Sequence, residues 1–343
     1  MAYTTINKSG DYFNTKLFTG NGGTQSVTGV GFQPDWVWLK SRSVADSPIL
    51  FDAVRGVTKR IMSNSTGIET TEAQEVQSFD SDGFTVGNSD NANRSGATMV
   101  GWNWLGANGT ASNTNGSITS TVSANTTAGF SIVSYTSTGS NATIGHGLGV
   151  APAMIIFKRR SGDTENWVVY HQSLGNTKSV ILNGTDAQAT SSSRFQDTSP
   201  TSTVFSVGTS GDVNGGSSPF IAYCFAEKTG YSKFGSYTGN GSADGTFIYT
   251  GFKPAFIMVK RTDSTSNWQI NDNKRDVDNV QNTPLMANLS DAESTDTSWD
   301  SLSNGFKMRQ DYGSKNASGG TYIYMAFAEA PLVGTNNIPC TAR

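Results

Sequence analysis

"GFKPAFIMVK", residues 251–260, is one of three versions of a single decapeptide in this chain. The others are "GFQPDWVWLK", from Gly31 to Lys40, and "GVAPAMIIFK", from Gly149 to Lys158. Each opens on glycine, places proline three positions later and ends on lysine nine positions after the glycine. Spacings kept together in this way mark a duplicated unit, and a repeat has to be recognised before local patterns are read. Between proline and lysine both alternating sets of positions are apolar. Trp36 and Trp38 fall on one side of a strand, Val37 and Leu39 on the other. This is the pattern of a short strand covered on both faces, with proline at its start, where no ladder hydrogen bond is lost. The closing lysine reads as a solvated strand end that returns the chain to water and discourages edge pairing.

The repeat extends in both directions. Upstream, "FTGNGG" at Phe18, "YTSTGS" at Tyr135 and "YTGNGS" at Tyr237 lead into the copies, each 16 or 17 residues before its proline. Downstream, "GFTVG", "VFSVG" and "GFKMR" align Phe84, Phe205 and Phe306, and the runs "VGWNWLG", "IAYCFAE" and "IYMAFAE" close the copies. The first two copies also share Gly56/Gly175, Thr58/Thr177, Lys59/Lys178, Asn64/Asn183 and Thr66/Thr185, whereas the third diverges at "NDNKRDVDNVQNTPLMANLS". The chain therefore divides into copies at 1–109, 128–229 and 230–332, a Ser/Thr/Asn-rich connection at 110–127 that reads as a linker or an extended surface strand, and a C-terminal tail at 333–343. "AEKTGYSKFGSYTG" leaves little slack between the second and third copies, which are expected to touch. Short apolar runs, turn residues at close intervals and no sustained 3.6-residue periodicity predict an all-β chain. The expected architecture is three tandem, mutually similar antiparallel β-sandwich units of jelly-roll type, each of about 100 residues.

Composition narrows the function classes. Only 15% of residues are charged, 38 are glycine and the net charge is −3, so no basic patch announces a nucleic-acid partner. Cys224 lies in an apolar run and Cys340 near the end, which makes neither a disulfide framework nor a metal cluster. No apolar stretch reaches the roughly 18 residues of a membrane span, and "MAYTTINKSG" lacks a signal-peptide core, so membrane insertion is not expected.

Catalytic signals are sparse. The two histidines are His146 in "IGHGLG" and His171 after "WVVY", with Asp52 and Asp272 where the second copy has His171. No nucleophile elbow or phosphate loop accompanies them. Asp80 and Asp82 in "FDSDG" have no counterpart in the other copies and read as a solvated turn. No catalytic residue, metal ligand or cofactor is expected. What remains is binding chemistry. "ENWVVYH" and "SNWQIND" set Asn166–Trp167 and Asn267–Trp268 at matching positions, followed by His171 and Asp272. An indole beside an amide can stack on a sugar ring and hydrogen-bond its hydroxyls. The same tryptophans suit a core equally well.

The stretch "YCFAEKTGYSKFGSYTGNGSADGTFIYTGFKPAFIMVKRTDSTSNWQINDNKRD", with "LSNGFKMR" and "NASGGTYIYMAFAEAP", closely resembles a domain of unknown function that recurs in tailed-bacteriophage tail-fibre and virion structural proteins. "GHGLGVAPAMIIFKRRSG" with "NWVVYH" resembles the preceding unit of those proteins, and "GTNNIPCTAR" resembles their C-terminus. The resemblance covers roughly residues 10 to 343 and supplies no catalytic or ligand residue. It implies a virion component, assembled in the bacterial cytoplasm and extracellular on the mature particle. The expectation is a non-enzymatic tail-fibre or receptor-binding protein whose loops contact a host-surface glycan or protein. Its partners would be other virion proteins and further copies of itself, with a trimer favoured. A purely structural role, as capsid decoration, collar or tail-attachment protein, is the alternative, and a polysaccharide depolymerase stands behind both.

Overall fold

The computed structural model of the chain describes residues 3–334. The decapeptide strands Trp36–Ser41, Met154–Arg159 and Phe252–Arg261 lie inside three large antiparallel sheets. In each, the closing-run strand pairs on one side and the next strand in sequence on the other. The first sheet runs Phe13–Thr19, Thr98–Trp104, Trp36–Ser41, Ile49–Asp52, Lys59–Met62, Thr70–Thr71. The second repeats that order as Phe130–Thr136, Pro219–Phe225, Met154–Arg159, Val168–His171, Lys178–Ile181, Ala189–Thr190. The third runs Ser232–Thr238, Thr321–Pro331, Phe252–Arg261, Trp268–Asp272, Leu285–Met286. A smaller antiparallel sheet accompanies each large one, built around Gly83–Val86, Val204–Val207 and Gly305–Met308.

The pleat sends alternate residues of each central strand into different cores. Val37 and Leu39 pack with Phe84, Ile155 and Phe157 with Phe205, and Ile257 and Val259 with Phe306, each set forming a separate cluster. The opposite faces converge. Trp36 and Trp38, Met154 and Ile156, and Phe256 and Met258 join one cluster with Trp102, Trp104, Tyr223, Phe225, Met325 and Phe327. Trp36 stacks on Tyr223 at 4.4 Å between ring centres, and Phe13 on Phe327 at 5.0 Å, each pair spanning two copies of the repeat. The expected two-sided covering of these strands is present, and one of the two covers is the other copies. All three copies touch, not the second and third alone.

The repeated glycine has a conformational cause. Gly31, Gly149 and Gly251 adopt φ of +92°, +72° and +83°, a region costly for any residue with a Cβ. The proline role differs between copies. Trp36–Ser41 and Met154–Arg159 begin two residues after Pro34 and Pro152, but Pro254 lies inside Phe252–Arg261, at a register shift that spares the ladder.

Of the two readings of 110–127, a linker or an extended surface strand, the structure shows strand. Ala111–Asn113 and Ser120–Asn125 are strands that extend the edge of the second large sheet, paired in register from Ser120↔Tyr135 to Asn125↔Phe130. Backbone hydrogen bonds to Phe130–Thr136 and burial of Ile118 and Val122 supply what the polar composition conceals.

Candidate functional site

The residues expected to bind sugar are structural. Trp167 and Trp268 are 0% and 1% exposed, and their indole N–H groups donate to the carbonyls of Met62 at 2.9 Å and Ile181 at 2.8 Å, each in the preceding copy. Asn166 and Asn267 accept from the amides of Asn183 and Asn288, which in turn accept the backbone N–H of Trp167 and Trp268. No face of either indole is open for stacking, so the tryptophans hold copies together. His171 is fully buried. Its Nδ1 accepts from Ser173 N at 3.2 Å, which fixes the proton on Nε2, and Nε2 donates to Tyr324 O at 3.2 Å. His146 uses Leu148 N and Thr201 O in the same way. Asp272 is buried in an ion pair with Arg275 at 2.6 Å and accepts Trp102 Nε1 at 2.9 Å.

Burial pushes the His171 pKa down to about 4. The unfolded chain takes up this proton near pH 6.5 while the folded one resists it, so the stability contribution is complete above pH 6.5 and is lost as pH falls towards 4. The loss expected from this group on going from pH 7 to pH 4 is about 3 kcal/mol. Urea titrations at both pH values should show a smaller drop for His171→Gln than for the parent. An equal drop would assign the acid sensitivity elsewhere.

The lysines that close the decapeptides are also corrected, because they do not end in water. Lys40, Lys158 and Lys260 are at most 1% exposed. Each donates to a carbonyl of its own following loop, Asp46, Glu165 or Ser266, and to one in another copy, Ser290, Thr66 or Thr185, all at 2.5–2.8 Å. The first copy reaches the third, the second the first and the third the second, so the contacts close a ring in one sense. Burial lowers all three pKa values to about 8. A lowered pKa favours reaction with acylating reagents, but burial prevails. Acetylation followed by mass spectrometry should label these lysines at least about tenfold more slowly than exposed Lys8 and Lys274. Equal rates would contradict the ring.

A second set of contacts follows the same ring and breaks its symmetry. Glu69 N and Glu293 N donate to Arg160 O at 2.9 Å and Arg42 O at 2.7 Å, and their carboxylates pair with those same arginines at 2.9 and 2.7 Å. Behind them lie Arg55 with Asp52 and Arg275 with Asp272. At the junction of the second and third copies the backbone bond persists, Gln188 N to Thr262 O at 2.8 Å, but the ion-paired groups are replaced by neutral ones. Gln188 replaces glutamate, Thr262 and Leu174 replace the arginines, and His171 replaces aspartate. Tyr223 OH and Trp102 Nε1 donate to Asp52 and Asp272, and the corresponding strand position in the third copy is Met325, which has no donor.

A groove of about 370 Å³ lies at this junction, lined by Leu174, Lys178, Gln188, Ser236, Thr262 and Thr321 among others, and one of about 320 Å³ lies between the first and third copies, where Lys16 and Lys274 line it. Lys178 is the one charged residue lining the former. A wider cleft of 540 Å³ lies beside the divergent segment of the third copy, lined by Lys274, Asp278 and Lys253, the last paired with Glu329 at 2.8 Å. The third copy also carries Phe247 and Tyr249, 43% and 55% exposed on the outer side of its small sheet, where the first two copies have Ser26/Thr28 and Thr143/Gly145 in register.

The sheets, the shared core and the ring of buried contacts define an all-β protein whose candidate site is the polar junction without ion pairs. The chain belongs to a family described as a domain of unknown function (DUF7483), which it matches over residues 8–331. No curated protein and no solved structure matches it.

Proposed function

We propose that the chain is a non-enzymatic bacteriophage virion protein of tail-fibre or receptor-binding type that contacts the host cell surface. In this reading the three copies are jelly-roll-like sandwich units closed into a ring, which gives one chain the threefold character that fibre tips obtain from three. The observation that carries the binding role is the groove between the second and third copies, where hydroxyls, an amide and a lysine line an opening and neutral side chains stand where the other two junctions have ion pairs. The exposed Phe247 and Tyr249 add an aromatic surface suited to sugar contact. The resemblance to phage tail proteins supplies the context.

A structural role in the particle is the second reading. It is favoured by the closed ring itself, since three similar units around one core can dock on a threefold or sixfold neighbour without further copies. Adsorption competition separates the two. Host cells incubated with the purified protein should adsorb less phage, in a saturable manner. Undiminished adsorption in the presence of folded protein would sink the host-binding role and favour the structural one.

A further inference from the structure

We propose that the groove between the second and third copies binds an acidic oligosaccharide, with the Lys178 ammonium as counter-ion of its carboxylate. The proposal rests on the host-surface reading and specifies its ligand. At two junctions the carboxylates of Glu69 and Glu293 each lie between two arginines, Arg55 and Arg160 in one case and Arg275 and Arg42 in the other. The third junction has Gln188, Leu174 and Thr262 in these places, so it lacks the ion pairs found at the others.

The groups left in the opening have free hydrogen-bonding capacity. Thr262 is engaged, its hydroxyl meeting Thr321 Oγ1 at 2.7 Å. The Gln188 amide and the Lys178 ammonium, by contrast, make no hydrogen bond or ion pair among the described residues. Their counterparts are engaged, since Lys59 donates to Thr71 Oγ1 at 2.7 Å and Glu69 pairs with Arg160. Ser236 is likewise open, whereas Ser134, its equivalent in the second copy, accepts Arg160 Nη1 at 3.1 Å. Hydroxyls that both donate and accept, together with an amide, match the hydroxyls of a sugar, and Leu174 and Ile323 offer apolar contact to its C–H faces. A lone half-buried cation selects a ligand carrying an anion, because charge-assisted hydrogen bonds are the stronger ones.

Isothermal titration of the full chain with oligogalacturonate and oligosialate, their carboxyl-reduced forms and sodium sulfate tests this. At least one acidic oligosaccharide should bind, its reduced form about tenfold or more weaker, and Lys178→Gln should weaken binding by a similar factor. The combined variant His171→Asp, Leu174→Arg, Gln188→Glu, Thr262→Arg restores the composition of the other junctions and should abolish binding. A urea midpoint at or above the parent value would show that it folds. Binding of neither acidic probe, binding unchanged in Lys178→Gln, or sulfate binding as tightly as sugar would each overturn the proposal. Adsorption competition by Lys178→Gln protein equal to that of the parent would remove this site and leave the host-surface reading standing. Failure of the parent protein to compete would remove the reading itself.

Discussion

Arg275→Leu is expected to destabilise the protein by about 3–5 kcal/mol, because it leaves Asp272 charged and buried without its cation. Both side chains of the pair are inaccessible to solvent, and the guanidinium also donates to Ile270 O at 2.9 Å and to Glu293 at 3.2 Å. Burial opposes the charge on Arg275, yet Asp272 and Glu293 more than offset it and raise its pKa. Leucine itself is not the fault, since Leu174 holds the same place in the second copy. There the partners have changed as well, to His171, Gln188 and Thr262. Adding Asp272→His, Glu293→Gln and Arg42→Thr to Arg275→Leu should therefore recover part of the loss, the buried Trp102 Nε1 being left without its carboxylate acceptor, a non-additivity expected of groups in one network. Urea unfolding of the single and fourfold variants measures both. A single-variant loss under about 1 kcal/mol would mean that the pair behaves as a solvent-screened one.

Trp268→Ala should cost a similar amount, about 3–5 kcal/mol, through the cavity left in the shared core. The indole is buried in the cluster common to all three copies and bonded to Ile181 O across the junction. The first copy has Pro48 at this position, and there the Ser63 hydroxyl donates to Ala287 O at 2.6 Å, so the junction bond survives by another route. Trp268→Ala has no such substitute. Because the cavity opens into a core built by all three copies, thermal unfolding should shift as one transition. A lowered first transition with a second left at the parent temperature would show that the copies unfold separately.

Much of the fold was legible. Period-two patterning with both sets apolar identified Trp36–Ser41 and its equivalents as strands covered on two sides, and the pleat alone assigns Trp36 and Trp38 to one face and Val37 and Leu39 to the other. The aligned Phe84, Phe205 and Phe306 are equivalent core residues, as their spacing suggested. The lysines were misread because a cation after an apolar run normally reaches water, and the carbonyls that receive them lie 75 to 250 residues away. A clue was present in "NST", "NGT" and "NLS" at residues 64–66, 183–185 and 288–290. These triplets align the third copy across its divergent segment and place Thr66, Thr185 and Ser290 as the accepting residues.

The candidate site was legible only as a pattern of differences. Asp52–Arg55 and Asp272–Arg275 against His171–Leu174, and Arg42 and Arg160 against Thr262, can be read from one chain once the copies are aligned. That these differences face one another cannot, since they belong to separate copies. Trp167 and Trp268 look like sugar platforms as long as their surroundings are unknown, and burial between copies removes that role. The sequence by itself determined the strands, their two-sided burial and the threefold repetition, because side-chain direction along a strand is a local property of the pleat. Only the tertiary structure decided that the copies share one core, that their lysines close a ring and that the neutral replacements meet at one junction. Those outcomes depend on polar groups finding partners across distant segments, and such pairings exist only once the chain has closed on itself.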